Sequence, residues 1–131
     1  MSLNQIKTIK LKKNLNPKGD ILKYLTKNNK YLKSFGEIYF TEIKKNKVKG
    51  WNYHKKCWCL LSVPLGKVQF TFAKKIESKK RSIIIGKKKY CMIVVPPGFW
   101  FKFKSLEKIS LVVNTIDKIH NKNETLKIPI K

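Results

Sequence analysis

Histidine is the side chain whose charge changes near neutral pH, and this 131-residue chain holds only two, His54 and His120. His54 closes the segment Lys49-Gly50-Trp51-Asn52-Tyr53-His54. On a strand, residues two apart share a face, so Asn52 and His54 project to the same side. An imidazole there can move a proton between neighbouring carbon or oxygen atoms; a satisfied core histidine is the plainer reading. Asn52 has no basic lone pair at pH 7 and can only hydrogen-bond a hydroxyl or a carbonyl. Tyr39 and Tyr90 are candidate phenolic donors, or simply wall aromatics. Trp51 and Trp100 can stack on a sugar or a base, or pack. Asp117 and His120 fall in a polar stretch near the C-terminus and read as surface residues without a role.

Cys57, Cys59 and Cys91 are an odd set, which argues against a disulfide framework and fits a reducing compartment. Cys57-Trp58-Cys59 lacks the two-residue spacer of zinc and thioredoxin-type sites, and no second pair completes it. Its two thiols share one face at alternate strand positions. They read as core or cavity wall, with a reactive thiol as the alternative.

Lys plus Arg number 31 against 7 acids, a net charge of +24. Such a balance suggests a polyanion partner. Every base except Arg81 is a lysine, however, and arginine is the residue suited to bidentate phosphate and guanine contacts. The lysines are spread along the chain beside 10 Asn and 15 Ile, residues that share A/T-rich codons. Genome composition is the preferred explanation, and nucleic-acid binding the minor one. Attraction for a phosphorylated small ligand fits either.

The elements that must position these residues are short strands. Ile38, Phe40 and Glu42 alternate with Tyr39, Thr41 and Ile43; Val68, Phe70 and Phe72 with Gln69, Thr71 and Ala73; Ile109, Leu111 and Val113 with Ser110, Val112 and Asn114. Turn signals separate them, among them Asn16-Pro17-Lys18-Gly19, Pro64-Leu65-Gly66 and Pro96-Pro97-Gly98. The spacing predicts strands near 5–11, 20–25, 36–43, 47–54, 57–63, 67–74, 81–86, 91–95, 100–104 and 108–114, with one helical turn near 26–32. Evenly spaced strands with tight turns imply a closed barrel or sandwich, because closure removes exposed sheet edges. The length fits one domain over residues 1–131, with Met1-Ser2-Leu3 read as a partial cloning scar. The 42% hydrophobic content supports a packed core and excludes a disordered chain. No run of 18 apolar residues and no signal-peptide core are found, so a cytoplasmic protein without membrane contact is expected.

Asn52, His54, Cys59 and Gly66, followed by Pro96-Pro97-Gly98-Phe99-Trp100-Phe101, resemble the two motifs of the cupin superfamily. The resemblance implies an all-β double-stranded β-helix, a jelly-roll barrel. Its finer part is to the nucleotide-sugar branch, the dTDP-4-dehydrorhamnose 3,5-epimerases and sugar 3,4-ketoisomerases. It is carried by Asn16-Pro17-Lys18-Gly19-Asp20-Ile21-Leu22, Gly36 through Ile43, Lys49 through Lys56, and Pro96 through Trp100, and spans roughly residues 6–130. It implies a homodimer acting on a nucleoside-diphosphate 4-keto sugar in surface-polysaccharide (lipopolysaccharide) biosynthesis, with no cofactor. His54 is then the proton-transfer residue. Asn52, Lys49, Trp100, Tyr39, Tyr90 and Lys18 are the substrate-binding candidates, with Lys49 and Lys18 where relatives place a cation near phosphate.

The family pattern also departs here. The epimerases' basic histidine falls at Asn52, their enolate-stabilising lysine near Cys59 or Leu60, and their tyrosine acid near Val112–Asn114. The ketoisomerases' histidine pair falls at Asn52 and His54, so one of the two remains. A non-catalytic binder of a sugar nucleotide or protein partner is therefore the alternative function. Of the four cupin metal-ligand residues only His54 survives here, and a transition metal needs about three protein ligands. Elemental analysis of purified protein should find no stoichiometric zinc, iron or manganese; one tightly held ion per chain would overturn that expectation.

Overall fold

Alternation of apolar and polar residues yields twelve strands in a computed structural model that describes residues 2–130. They are β1 (Lys7–Lys10), β2 (Lys13–Asn14), β3 (Ile21–Leu22), β4 (Glu37–Lys44), β5 (Val48–His54), β6 (Cys59–Leu65), β7 (Lys67–Ala73), β8 (Lys80–Gly86), β9 (Cys91–Val95), β10 (Trp100–Ser105), β11 (Ile109–Ile116) and β12 (Thr125–Lys127). The expected strands are present, though the one placed at 20–25 shrinks to β3. The segment 26–32 forms turns rather than a helical turn, and β12 was not anticipated. No helix among the described residues is long and apolar enough to cross a membrane.

Two five-stranded antiparallel sheets face each other, ordered β1-β9-β6-β11-β4 and β12-β5-β10-β7-β8, with β2-β3 as a separate hairpin. Chain neighbours mostly lie in different sheets, which is the jelly-roll arrangement that the alternation and turns required. Each sheet turns one face inward. Leu61 and Val63 of β6, Ile93 and Val95 of β9, and Ile116 of β11 meet Phe70 and Phe72 of β7, Ile85 of β8, and Phe101 and Phe103 of β10. Cys57, Cys59 and Cys91 are free and lie in this same core.

The first sheet is also covered on its outer side. Leu60, Met92 and Val94 pack under Ile9, Leu11, Tyr24, Leu25, Tyr31 and Leu32. β9 is therefore buried along its whole length, and its sequence reads as a continuous apolar run rather than an alternation. Met1 lies outside the described residues, whereas Leu3 packs against the core and its carbonyl accepts a 2.9 Å bond from Arg81 Nη1.

A bulge sets the register of the strand that carries His54. Asn52 pairs with Phe101, but Gly50, two residues earlier, already pairs with Lys102. The extra residue is Trp51, and Gly50 adopts φ +122°, the region that favours glycine. A Cβ at Gly50 would come within 2.8 Å of the Lys102 Cα and the Phe101 carbonyl. Gly50→Ala should therefore destabilise the fold by about 2 kcal/mol or more, read from the urea midpoint. A variant as stable as the parent would show that the bulge does not depend on glycine.

Candidate functional site

β5 ends in two inward positions, Asn52 and His54, because Tyr53 between them faces outward and stacks on Trp100 at 5.0 Å. They open onto a cavity of about 700 Å³ between the two sheets. β4 contributes Tyr39 and Thr41 to its wall, β11 contributes Val112 and Asn114, and β10 contributes Phe101. The C-terminal segment adds His120, Thr125 and Lys127, the last two from β12 where it pairs along the edge of β5.

The chemistry centres on His54 and Glu124. His54 Nδ1 lies 2.7 Å from Glu124 Oε1, and both residues are buried. The other carboxylate oxygen accepts the backbone N–H groups of Lys56 at 2.8 Å and Cys57 at 3.1 Å, and Thr125 Oγ1 donates to Oε1 at 3.0 Å. Burial by itself raises a carboxyl. Here the Lys56 N–H, the His54 contact and the Cys57 N–H outweigh it and hold Glu124 down at about 2. An ionised carboxylate can only accept, so His54 must present Nδ1–H to it, which leaves the basic lone pair on Nε2. Phe101 stacks against the imidazole, with centroids 6.3 Å apart. The result is an oriented imidazole base beside a cavity whose mostly apolar wall carries a few polar side chains.

Lys49, Asn52, His54 and Tyr39 are thus brought together at one cavity. The other binding candidates are not. Trp100 pairs with Tyr53 on the outer face of its sheet, because Phe101 and Phe103 take the inward positions of β10; Trp51 lines the cavity instead. Tyr90 is buried away from it, and burial raises its phenol. Lys18 sits in the exposed turn between β2 and β3, where its backbone N–H is held by Asn16 Oδ1. Lys127 is the cation that joins Lys49 at the cavity, and it faces Asn52 across the β12–β5 pairing.

Two further readings change. Asp117 is not a bare surface group, since its Oδ1 accepts the Trp58 N–H at 2.9 Å. His120 is not without place either: it lines the cavity, and its backbone N–H binds Glu37 Oε2. Tyr39 spends its own phenolic hydrogen on the same Glu37 oxygen at 2.6 Å; burial, then Glu37, push it up to about 12. The Tyr39 hydroxyl is thus already engaged by Glu37. Glu124 was missed altogether. The only signal for it was a lone acid in a lysine-rich tail, four residues after the second histidine.

His54, Cys57 and Glu124 place one ligand atom each within 4.8 Å of one another. As a metal site the set fits poorly. Both carboxylate oxygens are already occupied by N–H and O–H donors. Burial, then Glu124, push the Cys57 thiol up to about 12, and burial likewise raises Cys59. Both thiols are buried among the core side chains, the surroundings of a packing cysteine and not of an accessible nucleophile.

No protein-family model and no curated protein matches the chain. Solved structures do. A dTDP sugar isomerase from Desulfovibrio desulfuricans G20 is 25% identical over 95% of this chain and 83% of its own, with a TM-score of 0.88. A dTDP-6-deoxy-D-glucose-3,5-epimerase from Legionella pneumophila Philadelphia 1, in complex with dTDP-4-keto-L-rhamnose, is 16% identical over 98% of this chain and 74% of its own, at TM-score 0.82. A sugar 3,4-ketoisomerase from Thermoanaerobacterium thermosaccharolyticum, in complex with TDP, is 15% identical over 95% and 89%, at 0.78. The cupin fold implied by the motifs is the fold of this chain.

Because the folded Glu124 value lies below the ordinary 4.5, its contribution is complete above about pH 4.5 and is lost as the pH falls toward 2. Glu124→Gln should lower stability at pH 7 by about 1–3 kcal/mol and flatten the loss between pH 4.5 and 2. Urea unfolding across that range tests it, and an unchanged acid limb would refute the assignment.

Proposed function

We propose that this chain, whose fold is that of the nucleotide-sugar cupins, is an isomerase or epimerase acting on a nucleoside-diphosphate 4-keto sugar. The observation that carries the reading is the His54–Glu124 pair on the cavity wall. Nε2 of His54 takes a proton from the carbon beside the keto group; the C–H electron pair forms a C=C bond as the carbonyl π pair moves onto the keto oxygen. Glu124 offsets the charge of the imidazolium that forms. Asn52 donates its amide N–H to that oxygen, a role for which it needs no basicity. Returning the proton to the same carbon from the other face inverts it; returning it to the former carbonyl carbon shifts the ketone. Lys49 and Lys127 flank the cavity as the cations for the diphosphate. Neighbouring folds solved with TDP and with a dTDP-keto sugar support this ligand class.

The place of the protein follows from the same reading: a cytoplasmic homodimer in surface-polysaccharide biosynthesis. The dimer has a candidate face in β4, an unpaired sheet edge with Ile38 43% and Phe40 69% exposed. Asn52, standing where the epimerases keep their base, favours a second reading, a sugar-nucleotide binder without turnover.

A panel of dTDP- and UDP-4-keto sugars in deuterated water separates the two, since enolisation exchanges the α-proton even where no product accumulates. His54→Asn should abolish exchange while leaving nucleotide affinity within a few-fold. Asn52→His should raise the rate by restoring a base whose presence is worth ~10²–10⁴-fold. No exchange with any sugar, alongside nucleotide binding weakened by Lys49→Ala, would instead establish the binder.

A further inference from the structure

The function proposed above needs proton movement at oxygen as well as at carbon, and β5 supplies only one histidine. When a ketone shifts to the neighbouring carbon, the hydroxyl proton of one carbon must reach the oxygen of the other. Asn52 cannot carry it. Tyr39 has given its phenolic hydrogen to Glu37. Cys57 is buried in the core. With Lys49 and Lys127 assigned to the diphosphate, the remaining proton-transfer side chain on the cavity wall is His120.

We infer that His120 is the second proton-transfer group of this cavity, working on the substrate's oxygens while His54 works on its carbons. His120 is exposed at the cavity wall, where a substrate hydroxyl can reach it. Its backbone is pinned by the N–H bond to Glu37 Oε2. Its ring is set by Thr125, whose Oγ1 lies 3.4 Å from His120 Nδ1 and 3.4 Å from His54 Nδ1. The Thr125 hydroxyl has one hydrogen, and Glu124 Oε1 takes it. Its oxygen is thus an acceptor toward His120, which presents Nδ1–H and keeps Nε2 for the substrate. One carboxylate is linked to both imidazoles, directly to His54 and through one hydroxyl to His120.

The step balances without oxidant or reductant. His54 Nε2 removes the proton from the hydroxyl-bearing carbon; the C–H electron pair forms the C=C bond, and the carbonyl π pair passes to the keto oxygen. The imidazolium form of His120 gives its Nε2 proton to that oxygen, producing an enediol. His120 then takes the proton from the original hydroxyl as its C–O bond becomes the new carbonyl. His54 returns its proton to the former carbonyl carbon. Both histidines end as they began.

The inference rests on the isomerase reading, and the test separates the two. TDP-4-keto-6-deoxyglucose is incubated in deuterated water with the parent protein, His54→Asn, His120→Gln and His120→Ala. Proton NMR follows deuterium entering the carbon beside the ketone and, separately, formation of the shifted ketone. His120→Gln should keep deuterium uptake within about tenfold and lose isomer formation by ~100-fold or more. Free imidazole should restore part of the isomerisation by His120→Ala, because the position is open to solvent. Isomerisation by His120→Gln at the parent rate would overturn the role of His120 and leave the function standing. Equal loss of uptake and isomerisation, without imidazole rescue, would make His120 merely structural and also overturn it. No deuterium uptake by the parent protein would overturn the function, and this inference with it.

Discussion

The carboxylate of Glu124 is the point on which the cavity depends. It is buried, and four donors converge on it: the His54 ring, the Thr125 hydroxyl and the backbone N–H groups of Lys56 and Cys57. Each of those groups has left water, and each would be costly without an acceptor. The carboxylate thus ties the end of β5, the turn that follows it and the start of β12 into one unit. Asp117 does the same one turn away by accepting the Trp58 N–H. The tautomer of His54 is a consequence of this arrangement, so its basic atom is determined before any ligand arrives.

Polar side chains join apolar ones at the inward positions around the cavity. In the part of the core built from β7 and β8 those positions hold Phe70, Phe72 and Ile85, with the Phe70 and Phe72 rings stacked 6.3 Å apart. On the β4, β5 and β11 side they hold Tyr39, Thr41, Asn52 and Asn114. Side chains of that kind cannot close on one another without leaving polar atoms unpaired. The Oδ1 of Asn114 is an example, buried without a protein partner.

Charge enters at two different scales. The net +24 makes the whole molecule attractive to anions. The local arrangement is more selective, with Lys49 on the strand of Asn52 and Lys127 paired opposite Asn52, both at the cavity. Arg81, the single arginine, gives Nη1 to the carbonyls of Leu3 and Ile6 and so pins the N-terminal turn against the second sheet. The one guanidinium suited to bidentate anion recognition is therefore used inside the fold.

The all-β class, most strand positions and the shared face of Asn52 and His54 were legible in the sequence, because alternation and turn residues are local properties. The cupin motifs added the order of the strands. Trp100 was misplaced because a motif specifies spacing, whereas the face a residue takes depends on which neighbours, here Phe101 and Phe103, claim the core. Tyr90 and Lys18 failed for a related reason: the segment over residues 9–32 covers the outer side of the first sheet, a layer that alternation does not encode. Glu124, Thr125 and His120 lie 66 to 71 residues from His54 along the chain and join it only when β12 adds to the edge of β5. Local pattern chose the strands and delivered one histidine inward. Which acid would orient that histidine, and which second imidazole would share the carboxylate, was decided by long-range strand pairing, since only the folded chain brings those donors within hydrogen-bond reach.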